Sequence, residues 1–253
     1  MLVSQVPRCW STAMDEVAEE LIERAEISSP PVDCLVLAER LGIAVAYDAT
    51  LHGRARHKML AGRSAILIRP DVRPERLQWA VAHELGEAFA WKVFERAAST
   101  AEQDQPELRE SVANLMASRL LLPSRWFFDD ARRHGWDLRQ MKRLYQTASH
   151  ELIAHRFLDG EEPSMISLFD QGRLVRRSSN FRAVPPRLAR VERDCWLEVH
   201  RRNQSTECRE QSLIVQGWPV HEPGWRRELL RTTFAWDPDD GQLQPEQEPD
   251  DFC

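Results

Sequence analysis

Between Leu77 and Ala90 the chain reads Leu-Gln-Trp-Ala-Val-Ala-His-Glu-Leu-Gly-Glu-Ala-Phe-Ala, and here residue types and spacing could do chemistry. His83-Glu84-Leu85-Gly86-Glu87 differs by one residue from His-Glu-x-x-His. In that pattern two imidazoles one helical turn apart hold a zinc ion and the glutamate works on water. Residues four apart on a helix share a face, so His83 and Glu87 can point at a common divalent ion. Glu84, part of a turn further round, is placed to take a proton from water activated there. Glu87 brings a carboxylate where the usual pattern has a second histidine. Three fixed residues are not specific by themselves, and a charged, solvated helix face would look the same.

The elements around the motif must position it. Pro74 suits the first turn of a long helix reaching about Ala98, with Leu77, Val81, Leu85 and Ala88 as its apolar stripe. His83 and Glu87 fall nearly opposite, on a face shared with Trp79 and Ala90. A second helix is expected from Glu107 to Leu122, ended by Pro123; on it Glu110, Asn114, Ala117 and Leu121 share a face. Glu110 therefore heads a row whose small members allow close approach. Upstream, helices are expected from Asp15 to Ala25 and from Asp33 to Leu41. Strands are expected over Gly42 to Tyr47 and Ala65 to Arg69, with a turn or loop at His52 to Lys58 between them. Two further helices, about Leu138 to Tyr145 and Ser149 to Leu158, close the helical part. Beyond Pro163 the character changes: Met165 to Val175 reads as two strands around a turn, and Leu213 to Trp218 and Leu229 to Trp236 as further strands. The expected class is α+β: residues 1–160 a mostly helical domain with a small sheet, 161–236 a β-rich module. Residues 237–253 are read as an acidic disordered tail, rich in Asp, Glu, Pro and Gln and without Lys or Arg.

Several segments together resemble a known family. Pro30-Pro-Val-Asp33 followed by Leu37-Ala-Glu-Arg-Leu-Gly-Ile43 is similar to the entry of the ImmA/IrrE metallo-endopeptidases. Trp79-Ala-Val-Ala-His-Glu-Leu-Gly86, Glu110-Ser-Val-Ala-Asn-Leu-Met-Ala117, Leu120-Leu-Leu-Pro123 and Ser149-His-Glu-Leu-Ile-Ala-His-Arg156 continue the likeness in the family's order. The resemblance covers about the first 160 residues and implies a zincin-like fold. By position it makes His83 the first metal ligand, Glu110 the third and Glu84 the general base, with Glu87 at the place of the second histidine. It further implies peptide hydrolysis by metal-activated water, limited cleavage of a regulatory protein such as a repressor, and a peptide laid along an edge strand, for which Ala65 to Arg69 is the candidate. With His83, Glu87 and Glu110 as ligands a divalent centre is formally neutral, hence a weaker Lewis acid than one with two histidines. Zinc is the first expectation for the ion; two oxygen ligands also suit manganese or iron. The alternative is a lapsed enzyme that keeps the scaffold to regulate or bind a partner.

Other features weigh less. The 253-residue chain carries a net charge of -6, which argues against whole-surface attraction to nucleic acid or anionic membrane. It has no long apolar run, and the start shows no signal peptide. Five cysteines without a Cys-x-x-Cys pair suit reduced thiols, so a cytoplasmic protein is expected. His150 and His155, five apart, cannot share a helix face as His-Glu-x-x-His does. His57 is a remote substitute ligand, and His134 a helix end. The Leu138 to Phe157 segment could be read as helix-turn-helix, but its second helix offers few side chains to read bases. The arginine-rich stretch from Arg173 to Arg202, interspersed with Glu192, Asp194 and Glu198, reads as a salt-bridged face.

Overall fold

The computed structural model describes residues 8–60, 62–98, 105–182, 184–222 and 224–234. It divides into two compact units, Met1–His134 with Met141–Ser149, and Gly135–Gln140 with His150–Cys253. The architecture is α+β, with a helical first part and a β-rich second. The stretch from Asp237, expected to be a disordered tail, lies outside the described residues. Among those residues no helix is long and apolar enough to cross a membrane.

The first unit runs α1 (Arg8–Arg24), α2 (Cys34–Arg40), β1 (Ala44–Tyr47), β2 (Ala55–Leu60), β3 (Arg63–Ile68), α3 (Pro74–Arg96), α4 (Pro106–Leu121) and α5 (Ser124–Arg133). Local chemistry sets the boundaries. Asp33 caps α2, its carboxylate accepting from Leu35 N at 2.9 Å and Val36 N at 3.3 Å. Gln78 of α3 ties this cap down: its Oε1 accepts from Cys34 N at 2.7 Å and its Nε2 donates to Asp33 Oδ1 at 2.9 Å. The Pro-Pro-Val-Asp segment is thereby fastened to the start of the motif helix. Prolines 74 and 106 sit in the first turns of α3 and α4, where a missing N–H costs nothing.

The α3–α4 contact is the close one. Gly86 lies against Ala113, and Ala113, Met116 and Ala117 are fully buried. Small residues on both helices let the backbones approach, which brings the start of α4 beside His83. The core is completed by Val81, Leu85, Val93 and Phe94 of α3 with Val17, Leu21 and Ile22 of α1, all buried.

The sheet departs from expectation. Its order is β1-β3-β2, β1 parallel and β2 antiparallel to β3. Ala65 to Ile68 is therefore in the central strand, and the edges are β1 and β2, the latter in the segment expected to be a loop. The β2 sequence Ala-Arg-His-Lys-Met-Leu hides its strand because one face is cationic and only Ala55 and His57 are half-buried. Ala65, Ile66 and Ile68, by contrast, are buried, as befits a strand covered on both sides.

α6 (Leu138–Leu144) has residues in both units. The second unit continues with α7 (His150–Arg156), a 3-10 turn at Phe157–Asp159, β4 (Ser164–Asp170), β5 (Arg173–Ser179), α8 (Arg190–Arg202), β6 (Thr206–Glu210), β7 (Leu213–Pro219) and β8 (Arg227–Phe234). The sheet order is β5-β4-β8-β7-β6, antiparallel throughout. Val191, Cys195 and Val199, at helical spacing on α8, pack on the sheet near Val215 and Leu230. Gly217 permits this approach: a Cβ there would meet Val199 Cγ2 at 2.6 Å. α8 was not foreseen, since its arginines masked a narrow apolar stripe.

Among the described residues, four of the nine arginines between Arg173 and Arg202 form ion pairs, Arg176 with Glu151 among them. Arg177 Nη2 donates to both Glu192 oxygens at 2.9 Å, and Glu192 also accepts from Ala189 N at 2.7 Å and Thr232 Oγ1 at 2.5 Å. Arg202 pairs with Glu198, and Arg190 lies 3.6 Å from Asp194. The two helices of the segment that could be read as helix-turn-helix span seven residues each.

Candidate metal centre

α3 and α4 bring two of the expected residues together at a cleft. His83 Nε2 and Glu110 Oε2 are 3.5 Å apart. Two donors bound at about 2.0–2.1 Å to one tetrahedral zinc lie roughly 3.3 Å apart, so this spacing fits an ion between them. The cleft measures about 260 Å³ and is lined by Arg54, Ala55, Trp79, His83, Glu84, Glu110 and Asn114 among others.

Hydrogen-bond logic fixes the proton on His83 Nδ1. Asn114 Nδ2 donates to Glu110 Oε1 at 3.0 Å, because a carboxylate can only accept. Asn114 Oδ1 is left facing His83 Nδ1 at 3.2 Å, so that ring nitrogen carries the hydrogen. With Nδ1 protonated, Nε2 is the ring atom that faces Glu110 Oε2, either as a lone pair that calls for a cation between the two atoms or as an N–H given to the carboxylate. Asn114 thus orients the His83 ring, in the way an outer partner orients a metal-ligating histidine. Its position four residues after Glu110 put it on the site face, the one clue the sequence held; no role had been assigned to it.

Glu84 is buried in the same cleft. Its Oε2 accepts from the His57 backbone N–H at 2.7 Å, which fastens the carboxylate under edge strand β2. Burial pushes its pKa above the ordinary carboxylate value; the His57 N–H and the neighbouring His83 pull it down, and Glu87 pushes it up. A carboxylate tuned upward suits proton exchange nearer neutral pH. His57 does approach the site, through its backbone; its ring is turned to Ser64 Oγ at 2.6 Å.

Glu87 is not drawn in. It is exposed and is not among the residues lining the cleft. As the side chains stand, no three His, Cys, Asp or Glu groups among the described residues are placed to share an ion. His83 and Glu110 fit a metal; the third ligand does not converge with them. His155 lies in the second unit, where Arg176 Nη1 is 3.4 Å from its Nε2 and burial lowers its pKa.

Residues 38–158 match the family model described as the IrrE N-terminal-like domain of the M78 peptidases. That segment belongs to the ImmA/IrrE family. The family makes the domain metallopeptidase-like and implies a divalent metal and a protein substrate. Among solved structures, a Mycobacterium tuberculosis transcriptional regulator is similar, with a TM-score of 0.64 at 17% identity over 90% of this chain and 81% of that one. At that identity the likeness concerns the fold alone. No curated protein matches.

Proposed function

We propose that the chain is a metal-dependent endopeptidase making limited cuts in a regulatory protein. The observation that carries this reading is the close pair His83 Nε2 and Glu110 Oε2, 3.5 Å apart in the cleft, with Asn114 orienting the ring. His83 and Glu110 would hold the ion, zinc first and manganese or iron as alternatives, and Glu87 would close the set from one helical turn away. A divalent ion held there supplies a Lewis acid that polarises a peptide carbonyl and acidifies water. Glu84 takes the proton from the attacking water and returns it to the departing amine; burial suits it to both roles. The substrate backbone lies against β2, whose outer edge is open and whose His57 N–H already holds Glu84 in line with the cleft. Domain limits of 1–160 and 161–236 go with this reading.

A second reading has its own support. The exposed position of Glu87 outside the cleft favours a lapsed peptidase that binds a regulatory partner, in keeping with a structural neighbour named a transcriptional regulator. Digestion of a mixed peptide library, read by mass spectrometry, separates the two. The endopeptidase reading expects cuts by the natural chain that vanish in Glu84→Gln. Cuts that appear only in Glu87→His would overturn it in favour of the lapsed enzyme.

A further inference from the structure

The strand bordering the cleft lies in a markedly basic part of the chain. Residues 52–76 hold seven Lys and Arg against two acidic residues, in a chain of net charge -6. The register sorts these cations by face. Ala55 and His57 lie opposite Ile68 and Ile66 on the buried face, so Arg56 and Lys58 emerge on the other, while Arg54, just before the strand, also lines the cleft. Arg69 N donates to Arg54 O at 2.9 Å, which sets the two arginines directly across from each other. Like charges directly opposite destabilise a strand pair, so this arrangement is not explained by folding. Arg54, Arg56, Lys58, Arg63 and Arg69 are all exposed, and among the described residues none of them forms an ion pair. Asp71 feels Arg54 and Asp48 feels Lys58 only at a distance, and both carboxylates are already engaged by the backbone N–H groups of Arg73 and Thr50.

The same register fixes what the edge can receive. Residues 54, 56 and 58 turn their backbone groups to β3, as the Arg69–Arg54 bond requires, and 55, 57 and 59 turn theirs outward. A peptide added to this edge places every second side chain beside Arg56 and Lys58, and the intervening ones over the cleft. We infer that the edge selects an acidic peptide, with Asp or Glu at alternate positions on the face beside Arg56 and Lys58. The inference rests on reading the cleft as a peptide site and names the class of peptide. A nucleic acid is disfavoured because the outer face of β2 offers no aromatic ring to stack a base, and the backbone groups it turns outward, apart from the His57 N–H held by Glu84, match a strand.

The test uses the full chain and two fluorescein-labelled decapeptides, one with Glu at alternate positions and one with Gln in their place. Anisotropy should show the Glu peptide binding on the order of tenfold tighter, with the advantage shrinking as salt rises. Arg56→Gln combined with Lys58→Gln, two exposed changes outside the candidate metal centre, should remove most of the difference. Equal binding of both peptides would overturn the inference while leaving the peptide site standing. Binding of neither would overturn both. A single-stranded oligonucleotide that binds more tightly than the Glu peptide, and loses affinity in the double variant, would reassign the surface and overturn the inference alone.

Discussion

Gly86→Ala probes the contact that creates the site. A methyl at Gly86 would lie 2.6 Å from Ala113 O, 3.0 Å from Met116 Cβ and 3.1 Å from Ala113 Cα, where ordinary contact begins at 3.4 Å. The obstacle is backbone, so α3 and α4 must part by roughly 0.8 Å, the difference between 3.4 and 2.6 Å. Overpacking of this kind costs about 1–3 kcal/mol, and alanine's helix preference returns about 1 kcal/mol. The net expectation is a loss of about 0–2 kcal/mol, read from urea unfolding of metal-free protein. The effect on the site is sharper. Coordination tolerates about 0.2 Å, so parting the helices spoils the 3.5 Å spacing of His83 Nε2 and Glu110 Oε2. Zinc affinity by calorimetry should fall at least about tenfold, more than the stability change alone would suggest. A variant stabilised by about 1 kcal/mol, as propensity alone dictates, with unchanged zinc affinity, would refute the claim that helix spacing sets the metal geometry.

Further outcomes follow from the same geometry. Asn114→Ala should lower metal affinity about 10–100-fold with little loss of fold, since it frees the His83 ring; unchanged affinity in calorimetry would remove Asn114 from the site. Glu84 is raised by burial, so the folded chain keeps its proton to higher pH than the unfolded chain does. Its contribution to stability is therefore full below the ordinary carboxylate pKa and is lost as pH rises through the raised value. Glu84→Gln should flatten that decline in urea unfolding followed across the window, and an unchanged slope would count against a burdened Glu84. Arg177→Ala leaves Glu192 buried without its cation and should cost about 3–5 kcal/mol, measured by chemical unfolding; a cost below about 1 kcal/mol would show that water reaches the pair.

Much of the first unit was legible because its signals are local. The apolar spacing of Val81 and Leu85 and the proline at 74 each act within a turn or two of chain. The sheet was harder. Strand order is a tertiary outcome, and β2 carries Arg56 and Lys58 where a strand reader looks for Val or Ile, so the edge was assigned to the apolar neighbour that is in fact central. α8 escaped for a similar reason: Val191, Cys195 and Val199 are spaced for a helix, but arginines and glutamates between them dominate the reading. At the site, His83 and Glu110 were legible from motif and spacing, and the structure brings them together. The His57 N–H that holds Glu84 was not, because a backbone group leaves no mark in the sequence. Glu87 shows the limit of helical periodicity, which places a residue on a face without fixing where its side chain points.

The central claim is that a divalent ion, rather than a proton, lies between His83 and Glu110. Elemental analysis of the full chain, purified without chelator or histidine tag, tests it beside Glu110→Ala. The account predicts about one equivalent of metal in the natural protein and loss of it in the variant. Metal absent from both, even after incubation with zinc, manganese or iron, would contradict it.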